Sequence, residues 1–402
     1  MQSLRELYRI GYGPSSSHTM GPRFAAKQFL EENPDADRYT CSLYGSLALT
    51  GKGHLTDKAI QQEFGQRKLE IIWKYNEFKP KHSNALEFCA FDLSGKKTAE
   101  KTYYSIGGGK VVTDENFDTK SSDIYPSLLT RMDKILLYCE KEGVQIWEIC
   151  LKYEDDAIMD YMKEVWTVMK ESILRGIEAE GVLQGGLKLA RKACNYHSKA
   201  CDFSGPLGST SKAISYALAV AEENAGGGMI VTAPTCGSCG VLPGVLHFLQ
   251  KSYNISDTKI YRALLTAGMI GNLVKQNGSI SGAEVGCQGE IGVACAMAGA
   301  AATQLLGGTV YEIEYAAEMG LEHHLGLTCD PMMGLVQIPC IERNAMATTR
   351  ALNHAAYALL SDGRHRITFD EVVAVMMETG EALPYIYRET AQGGLATVTS
   401  RI

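Results

Sequence analysis

The residues best able to do chemistry in this 402-residue chain are its cysteines, of which there are twelve. Cys236 and Cys239 form a C-x-x-C inside the glycine-rich stretch TAPTCGSCGVLPG. Such a pair serves redox exchange when a strand precedes it and a helix start lowers the first thiol pKa. It serves zinc when a second pair completes the ligand set. MIVTAP offers a strand and GVLPGVLHFLQ a helix, but the rest of a βαβ frame and a second C-x-x-C are missing. A tight turn presenting backbone N–H groups at a helix start accounts for it as well. Cys287, in SISGAEVGCQGEIGVACAMAGA, and Cys329 and Cys340, in GLTCDPMMGLVQIPCIERNA, follow no generic ferredoxin spacing. By spacing alone they are buried thiols. Each stands beside a helix breaker or turn residue, however (Gly286 and Gly289, Asp330-Pro331, and Pro339), so the ends of three helices can bring them to one point. Cys295, between Ala and Met within a helical run, reads as packing.

Two polar stretches could act on a substrate. GPSSSHTMGP sets Ser15, Ser16, Ser17, His18 and Thr19 between Gly-Pro breakers, either a carboxylate or phosphate cradle or an elaborate helix cap. GSLALTGKGHLTDKA places His54 in a glycine-rich turn ahead of a helix, as a proton carrier or as a solvated loop residue. The pair His323-His324 in LEHHLG is no metal pair, because adjacent helical residues face different directions; Glu322 and His323 are expected to make structural hydrogen bonds.

The elements that must position these residues fall into two textures. Up to about residue 115, strand-like runs (RKLEIIWKYN, NALEFCAFDLSG, KTYYSIGGGKVV) alternate with helical ones at 20–31 and 56–62, which predicts an α+β domain. From Ser121 a polar helical connector leads into Gly/Ala-rich helices expected at 211–223, 259–276, 288–306, 344–359 and 369–380. The expected organisation is an α+β domain with its connector over 1–150 and an all-helical domain over 151–402.

Composition narrows the class of function. With 45% apolar and 21% charged residues the chain is an ordinary globular protein, and a net charge of −7 argues against nucleic acid. Uncharged runs such as 291–310 are rich in Gly and Ala and read as packed helices rather than membrane spans. The charged start MQSLRELYRIGYG has no apolar core, so no secretory signal is expected, and unpaired cysteines suit a reducing, cytoplasmic compartment.

Together, GPSSSHTMGP, TGKGHLTDKA and YSIGGGKVV resemble the beta portion of the iron–sulfur L-serine dehydratases (L-serine ammonia-lyases, a class of carbon–nitrogen lyase). VTAPTCGSCGVLPGVL, SISGAEVGCQGEIGVACAMAGAAATQLLGGT, AAEMGLEHHLGLTCDPMMGLVQIPCIERNAMA and ETAQGGLA resemble the alpha portion, in order and over nearly the whole chain. The resemblance implies deamination of L-serine to pyruvate and ammonia by a cytoplasmic homodimer in amino-acid degradation and gluconeogenesis. It implies a 4Fe–4S cluster on Cys287, Cys329 and Cys340, whose one iron without a thiolate acts as a Lewis acid on the substrate hydroxyl. His54 is the expected base, with His18 its competitor. Ser15, Ser16, Ser17, Thr19 and Thr235 are expected to hold substrate, and Lys275, Ser279, Ser281 and Glu284 to orient substrate or cluster.

Two features depart from the family pattern. Cys236 stands where relatives carry a non-cysteine residue, so Cys236 and Cys239 are not required ligands, though Cys236 can lie near the vacant iron. The sequence ends TVTSRI, without the terminal cysteine with which several relatives reach that iron. Rival readings are an L-cysteine desulfidase or L-threonine dehydratase on the same site, and a serine-sensing module without catalysis. A pyridoxal-phosphate lyase is a further one, resting on NAGGGM, but the only Ser-x-Lys, Ser94-Gly95-Lys96, falls in a turn between strands.

Overall fold

The structure, a computed structural model, describes residues 1–117 and 123–401. Ser121, the expected start of the connector, and Ile402 of the terminal TVTSRI lie outside the described residues. The chain packs as two compact units, Tyr12–Ser121 on the one hand and Met1–Gly11 with Ser122–Ile402 on the other.

After the first strand, β1 (Ile10–Tyr12), the smaller unit runs α1 (Gly21–Glu32), β2 (Arg38–Tyr44), α2 (Gly45–Thr50), α3 (Thr56–Phe64), β3 (Lys68–Lys74), β4 (Asn84–Phe91), β5 (Lys97–Ser105) and β6 (Val111–Thr113). Its five strands lie in the order β3-β2-β4-β5-β6, with β2 and β3 parallel and the other pairs antiparallel. Parallel pairing of β2 with β3 requires a crossover, which α2 and α3 supply. Tyr39, Cys41 and Leu43 of β2 alternate onto the buried face with Leu86 and Phe88 of β4, where Phe88 stacks on Phe29 of α1 at 5.2 Å and on Phe64 of α3 at 5.7 Å. The strands expected at 68–74, 84–91 and around Gly107–Gly109 are present. β2 went unanticipated: its alternate residues Thr40 and Ser42 are also buried, so RYTCSLY carries a polar stripe in a fully interior strand.

The larger unit is helical: α4 (Met132–Glu142), α5 (Ile146–Tyr153), α6 (Ile158–Glu178), α7 (Ala193–Asp202), α8 (Gly205–Ala225), then strand β7 (Met229–Val231), α9 (Val241–Tyr253), α10 (Asp257–Asn277), α11 (Gly282–Val285), α12 (Ile291–Leu305), α13 (Val310–Glu322), α14 (Cys340–Leu359) and α15 (Phe369–Ala382). Among the described residues its only strand pairing is β1 with β7. The fold class is therefore α+β followed by helical, as expected, but the boundary is not at 150. The described residues from 123 to 150 are no mere connector, because Met132, Ile135, Cys139, Ile146 and Ile149 enter the main helical core. The first eleven residues belong there too. Leu4, Leu7 and Tyr8 lie against Gly268 and Gly271 of α10, where any Cβ would come within 3.0 Å of them. Tyr8 also donates to the Leu264 carbonyl at 2.8 Å.

At the centre of this core, eight of the fifteen residues of α12 are Ala or Gly, which lets its neighbours approach to backbone contact. A Cβ added at Gly320 of α13 would lie 2.6 Å from Ala296 Cα. Gly320→Ala is therefore expected to force α12 and α13 apart and cost about 1–3 kcal/mol, read as a lowered thermal midpoint. An unchanged midpoint would mean that the helices separate freely.

His247 of α9 sits edge-on to Tyr216 of α8 at 4.6 Å, and its Nδ1 is buried with no hydrogen-bond partner. Burial, helped by the charges of Lys251, Lys170 and His197, holds its pKa down at about 4. The folded state thus favours neutral imidazole, and the unfolded chain takes up the proton first, near pH 6.5. The contribution is complete above pH 6.5 and is lost as pH falls toward 4, to the extent of about 3 kcal/mol. His247→Phe should remove that slope, so denaturant titrations should show wild type losing more stability than the variant between those pH values. Parallel curves would refute it.

Candidate active site

Cys287 opens the 3-10 turn Cys287–Gly289 that leads into α12, and Cys340 is the first residue of α14. Cys329 is not at a helix end as anticipated. It lies on an extended stretch bridged to Arg388, its N–H donating to the Tyr387 carbonyl at 2.8 Å while its carbonyl accepts from Glu389 N–H at 2.7 Å. The three are nonetheless neighbours. The Cys287 thiol accepts a hydrogen bond from Cys329 and another from Arg343, which together hold its pKa down despite burial. Cys329 is raised by giving that bond and by burial; Cys340 is raised by burial and by the adjacent charges of Cys287 and Glu290. Arg343 is anchored by donating to the Thr328 carbonyl at 2.6 Å.

Carboxyl groups crowd the same place. Glu290, at the start of α12, accepts from Thr235 Oγ1 at 2.7 Å and lies 3.8 Å from Cys329 Sγ, and burial raises its pKa. Glu389 is raised to about 8 by burial and by the charges of Glu290 and Cys287. Burial disfavours ionisation of Cys329, Cys340, Glu290 and Glu389, and a cationic group placed among them would favour their charged forms.

The C-x-x-C turn forms one wall. Asn344 of α14 ties it down, accepting from Gly240 N–H at 2.9 Å and donating to the Gly237 carbonyl at 2.7 Å. Cys236 is fully buried, and its thiol is raised by burial, by Cys239 and by Glu290. Glycine is needed here for space: a Cβ on Gly237 would meet Glu290 Oε1 at 3.1 Å, and one on Gly282 would meet Cys329 Sγ at 3.0 Å.

An iron–sulfur cluster fits this arrangement. The donors are the buried thiols of Cys287 and Cys329 and the half-buried thiol of Cys340, a guanidinium faces them, and a Cβ at Gly282 would crowd Cys329 Sγ. Among the described residues no three His, Cys, Asp or Glu side chains converge closely enough for a single metal ion. Three thiolates on three different irons of a cubane need no such convergence.

The second polar cluster lies within the α+β unit. Residues Ser16–Met20 form one π-helical turn ahead of α1, capped by Ser15, whose Oγ accepts from His18 N–H at 3.2 Å. His18 is engaged at both ring nitrogens, Nδ1 with Ser17 Oγ at 2.8 Å and Nε2 with Ser46 Oγ at 2.9 Å. The His54 ring lies 4.6 Å from it. His54 Nδ1 donates to the Thr50 carbonyl at 3.1 Å, which leaves Nε2 as the unprotonated nitrogen, and Nε2 is buried with no partner among the described residues. Burial holds His54 at a pKa of about 4 and lowers His18 further, with the adjacent His54 contributing. Thr19 Oγ1 donates to the His54 carbonyl at 2.7 Å, so it positions the turn that carries His54.

The remaining expected residues are placed by other partners. Lys275 Nζ donates to Gln2 Oε1 at 3.0 Å and the Glu6 carbonyl at 3.1 Å, fastening the N-terminal turn to α10. Ser279 Oγ donates to Glu284, which is exposed, and accepts from Ser281 N–H at 3.1 Å. His323 and His324 each donate from Nδ1 to the carbonyl four residues earlier, as structural histidines do. Glu290, Arg343, Asn344 and Glu389 were not anticipated. Glu290 and Arg343 each stand three residues after a cluster cysteine, a helical spacing that could have singled them out.

Comparison with known proteins identifies the family. Residues 3–65 match the family described as serine dehydratase beta chain, and residues 81–396 the family described as serine dehydratase alpha chain. The chain is 40% identical to the L-serine dehydratase of Streptomyces coelicolor over 98% of both proteins. It is 39% identical to L-serine dehydratase 1 of Escherichia coli, over 98% of this chain and 99% of that one. With the L-serine dehydratase of Helicobacter pylori it shares 36% identity over 98% of each. Among the described residues no helix is long and apolar enough to cross a membrane. With the alpha-chain match alone covering most of its length, and relatives aligned from end to end, this chain belongs to the serine dehydratase family, with beta-chain and alpha-chain regions joined in one polypeptide.

Proposed function

We propose that this protein is an L-serine ammonia-lyase that removes water from L-serine to yield pyruvate and ammonia, with Cys287, Cys329 and Cys340 holding a 4Fe–4S cluster. The observation that carries the reading is the trio of neighbouring thiols beside Arg343, in a chain whose end-to-end relatives are named for this activity. When bound, such a cluster supplies an open iron as Lewis acid at the substrate hydroxyl, easing departure of hydroxide.

The chain's own groups supply the rest. His54 removes the Cα proton: it is neutral at physiological pH, its tautomer is set by the Thr50 carbonyl, and its Nε2 lone pair is uncommitted. His18, held at both nitrogens, supports the loop instead. Ser16 is suited to the substrate carboxylate, whereas Ser15, Ser17 and Thr19 are committed to the loop itself. Glu290, anchored by Thr235, offers a carboxylate to the substrate ammonium. Loss of water leaves 2-aminoacrylate, which tautomerises to the imine and hydrolyses to pyruvate and ammonia without further help. The reading brings with it a cytoplasmic homodimer serving amino-acid degradation and gluconeogenesis.

Protein purified without oxygen, analysed for iron and acid-labile sulfide and assayed on L-serine, L-threonine and L-cysteine, tests the reading. About four irons per chain and fastest turnover on L-serine are expected. Active protein free of iron would overturn the cluster assignment, and faster sulfide release from L-cysteine would transfer the activity to a desulfidase.

A further inference from the structure

A cavity of about 460 Å³ opens between α13, α14 and the segment leading into α15, and nothing above uses it. Glu318 of α13 lines it, only 3% exposed, yet among the described residues its carboxylate has no hydrogen bond and no ion pair. The adjacent His365 gives it no hydrogen bond, because its Nε2 is committed to Glu314 at 2.5 Å. Glu314 and Glu318 together raise the His365 pKa, and its charge offsets part of the repulsion among the carboxylates. Glu322, one helical turn on, adds a second carboxylate to the same wall. His354, also in the wall, is neutral: burial and the charges of His323, His324 and Arg350 hold it at a pKa of about 4. Burial and the neighbouring carboxylates push Glu318 up to about 7. The carboxylate opens onto the cavity with no hydrogen-bond partner among the described residues, and a cation bound beside it there would be favoured.

The walls show which kind of cation suits. The His365 ring stacks on Tyr315 at 4.0 Å, and Tyr357 meets Tyr315 edge-on at 6.0 Å, so aromatic surface lies next to the carboxylates. Ring faces attract organic cations, and the volume suits a small amine. A bare metal ion does not suit, since no three ligating side chains converge among the described residues. We propose that this cavity binds a small molecule through its ammonium group, held by Glu318 and Glu322 against the aromatic wall. Arg366, exposed at the cavity and without an ion pair among the described residues, is placed to take a carboxylate if the ligand is an amino acid. The proposal does not rest on the dehydratase reading.

Calorimetric titration of the full-length protein with phenethylamine, L-phenylalanine and 2-phenylethanol tests it. Phenethylamine is expected to bind, releasing part of a proton near pH 7 as Glu318 ionises, which shows as a dependence of the heat on buffer. 2-Phenylethanol, matched in shape but uncharged, should bind at least tenfold more weakly. Glu318→Gln, which keeps the volume and removes a buried charge, should weaken phenethylamine at least tenfold, and Tyr357→Ala, at an exposed position, several-fold. Tighter binding of L-phenylalanine, abolished by Arg366→Gln, identifies an amino-acid site; tighter binding of phenethylamine identifies a simple amine site. Absence of binding at millimolar concentration, equal binding of the alcohol, or affinity unchanged in both variants would overturn the proposal.

Discussion

Replacing His54 with Gln should lower kcat on L-serine by about 10²–10⁴, the range for loss of a positioned general base, equivalent to about 3–5 kcal/mol of barrier. The magnitude follows from how the ring is held. Its Nδ1–H is fixed on the Thr50 carbonyl, so the lone pair is on Nε2, and the protein spends no hydrogen bond on that atom. A buried acceptor without a partner is normally avoided, which is why its presence beside a polar loop points to use. Glutamine keeps a comparable polar shape but cannot carry the proton. The same change at His18 should act differently, because both of its nitrogens bind serine hydroxyls and the ring braces the turn from Ser17 to Ser46. There the loss should show more in KM and thermal stability than in kcat. If His54→Gln turned over at the wild-type rate while His18→Gln lost three orders of magnitude in kcat, the two roles would have to be exchanged.

Cys287→Ala should abolish turnover altogether and remove most of the iron. Among the three thiols Cys287 has the lowest pKa, held down by hydrogen bonds from Cys329 and Arg343, so it is the readiest thiolate for a metal. The matched control is Cys295→Ala, eight residues on in the same helical run. That thiol donates to the Ala347 carbonyl at 3.5 Å inside the core, and burial raises its pKa to about 12. Its replacement should cost packing stability but leave iron and sulfide content intact. Iron analysis and the visible spectrum of both proteins, purified without oxygen, check this directly. Full iron content in Cys287→Ala, or equal loss from both variants, would remove Cys287 from the ligand set.

What could be read in advance follows from the range of the interactions involved. Strands β3, β4 and β5 and the helices near 257–277 and 369–382 announce themselves through local periodicity, so the α+β-then-helical class was legible. Strand β2 was not. Thr40 and Ser42 are buried because β2 has neighbours on both sides, and no local pattern reports how many neighbours a strand will have. The unit boundary failed for a related reason: Leu4, Leu7 and Tyr8 look like any short amphipathic start, and only their docking on Gly268 and Gly271 assigns them to the helical unit.

The site divides the same way. The residue types and turn contexts of Cys287, Cys329, Cys340, His18 and His54 were visible in the sequence, because thiols and imidazoles beside glycine and proline are local features. Which nitrogen of which histidine stays free was decided only by Ser17, Ser46 and Thr50, brought there by the folding of the α+β unit. That Glu290, Arg343 and Glu389 gather around the thiols, and that Lys275 instead fastens the N-terminal turn, are likewise tertiary outcomes. The sequence by itself determined the family, the order of the elements and the chemically capable residue types. Charge balance, tautomer and free lone pairs depend on contacts between residues distant in the chain, and those exist only once the chain has folded.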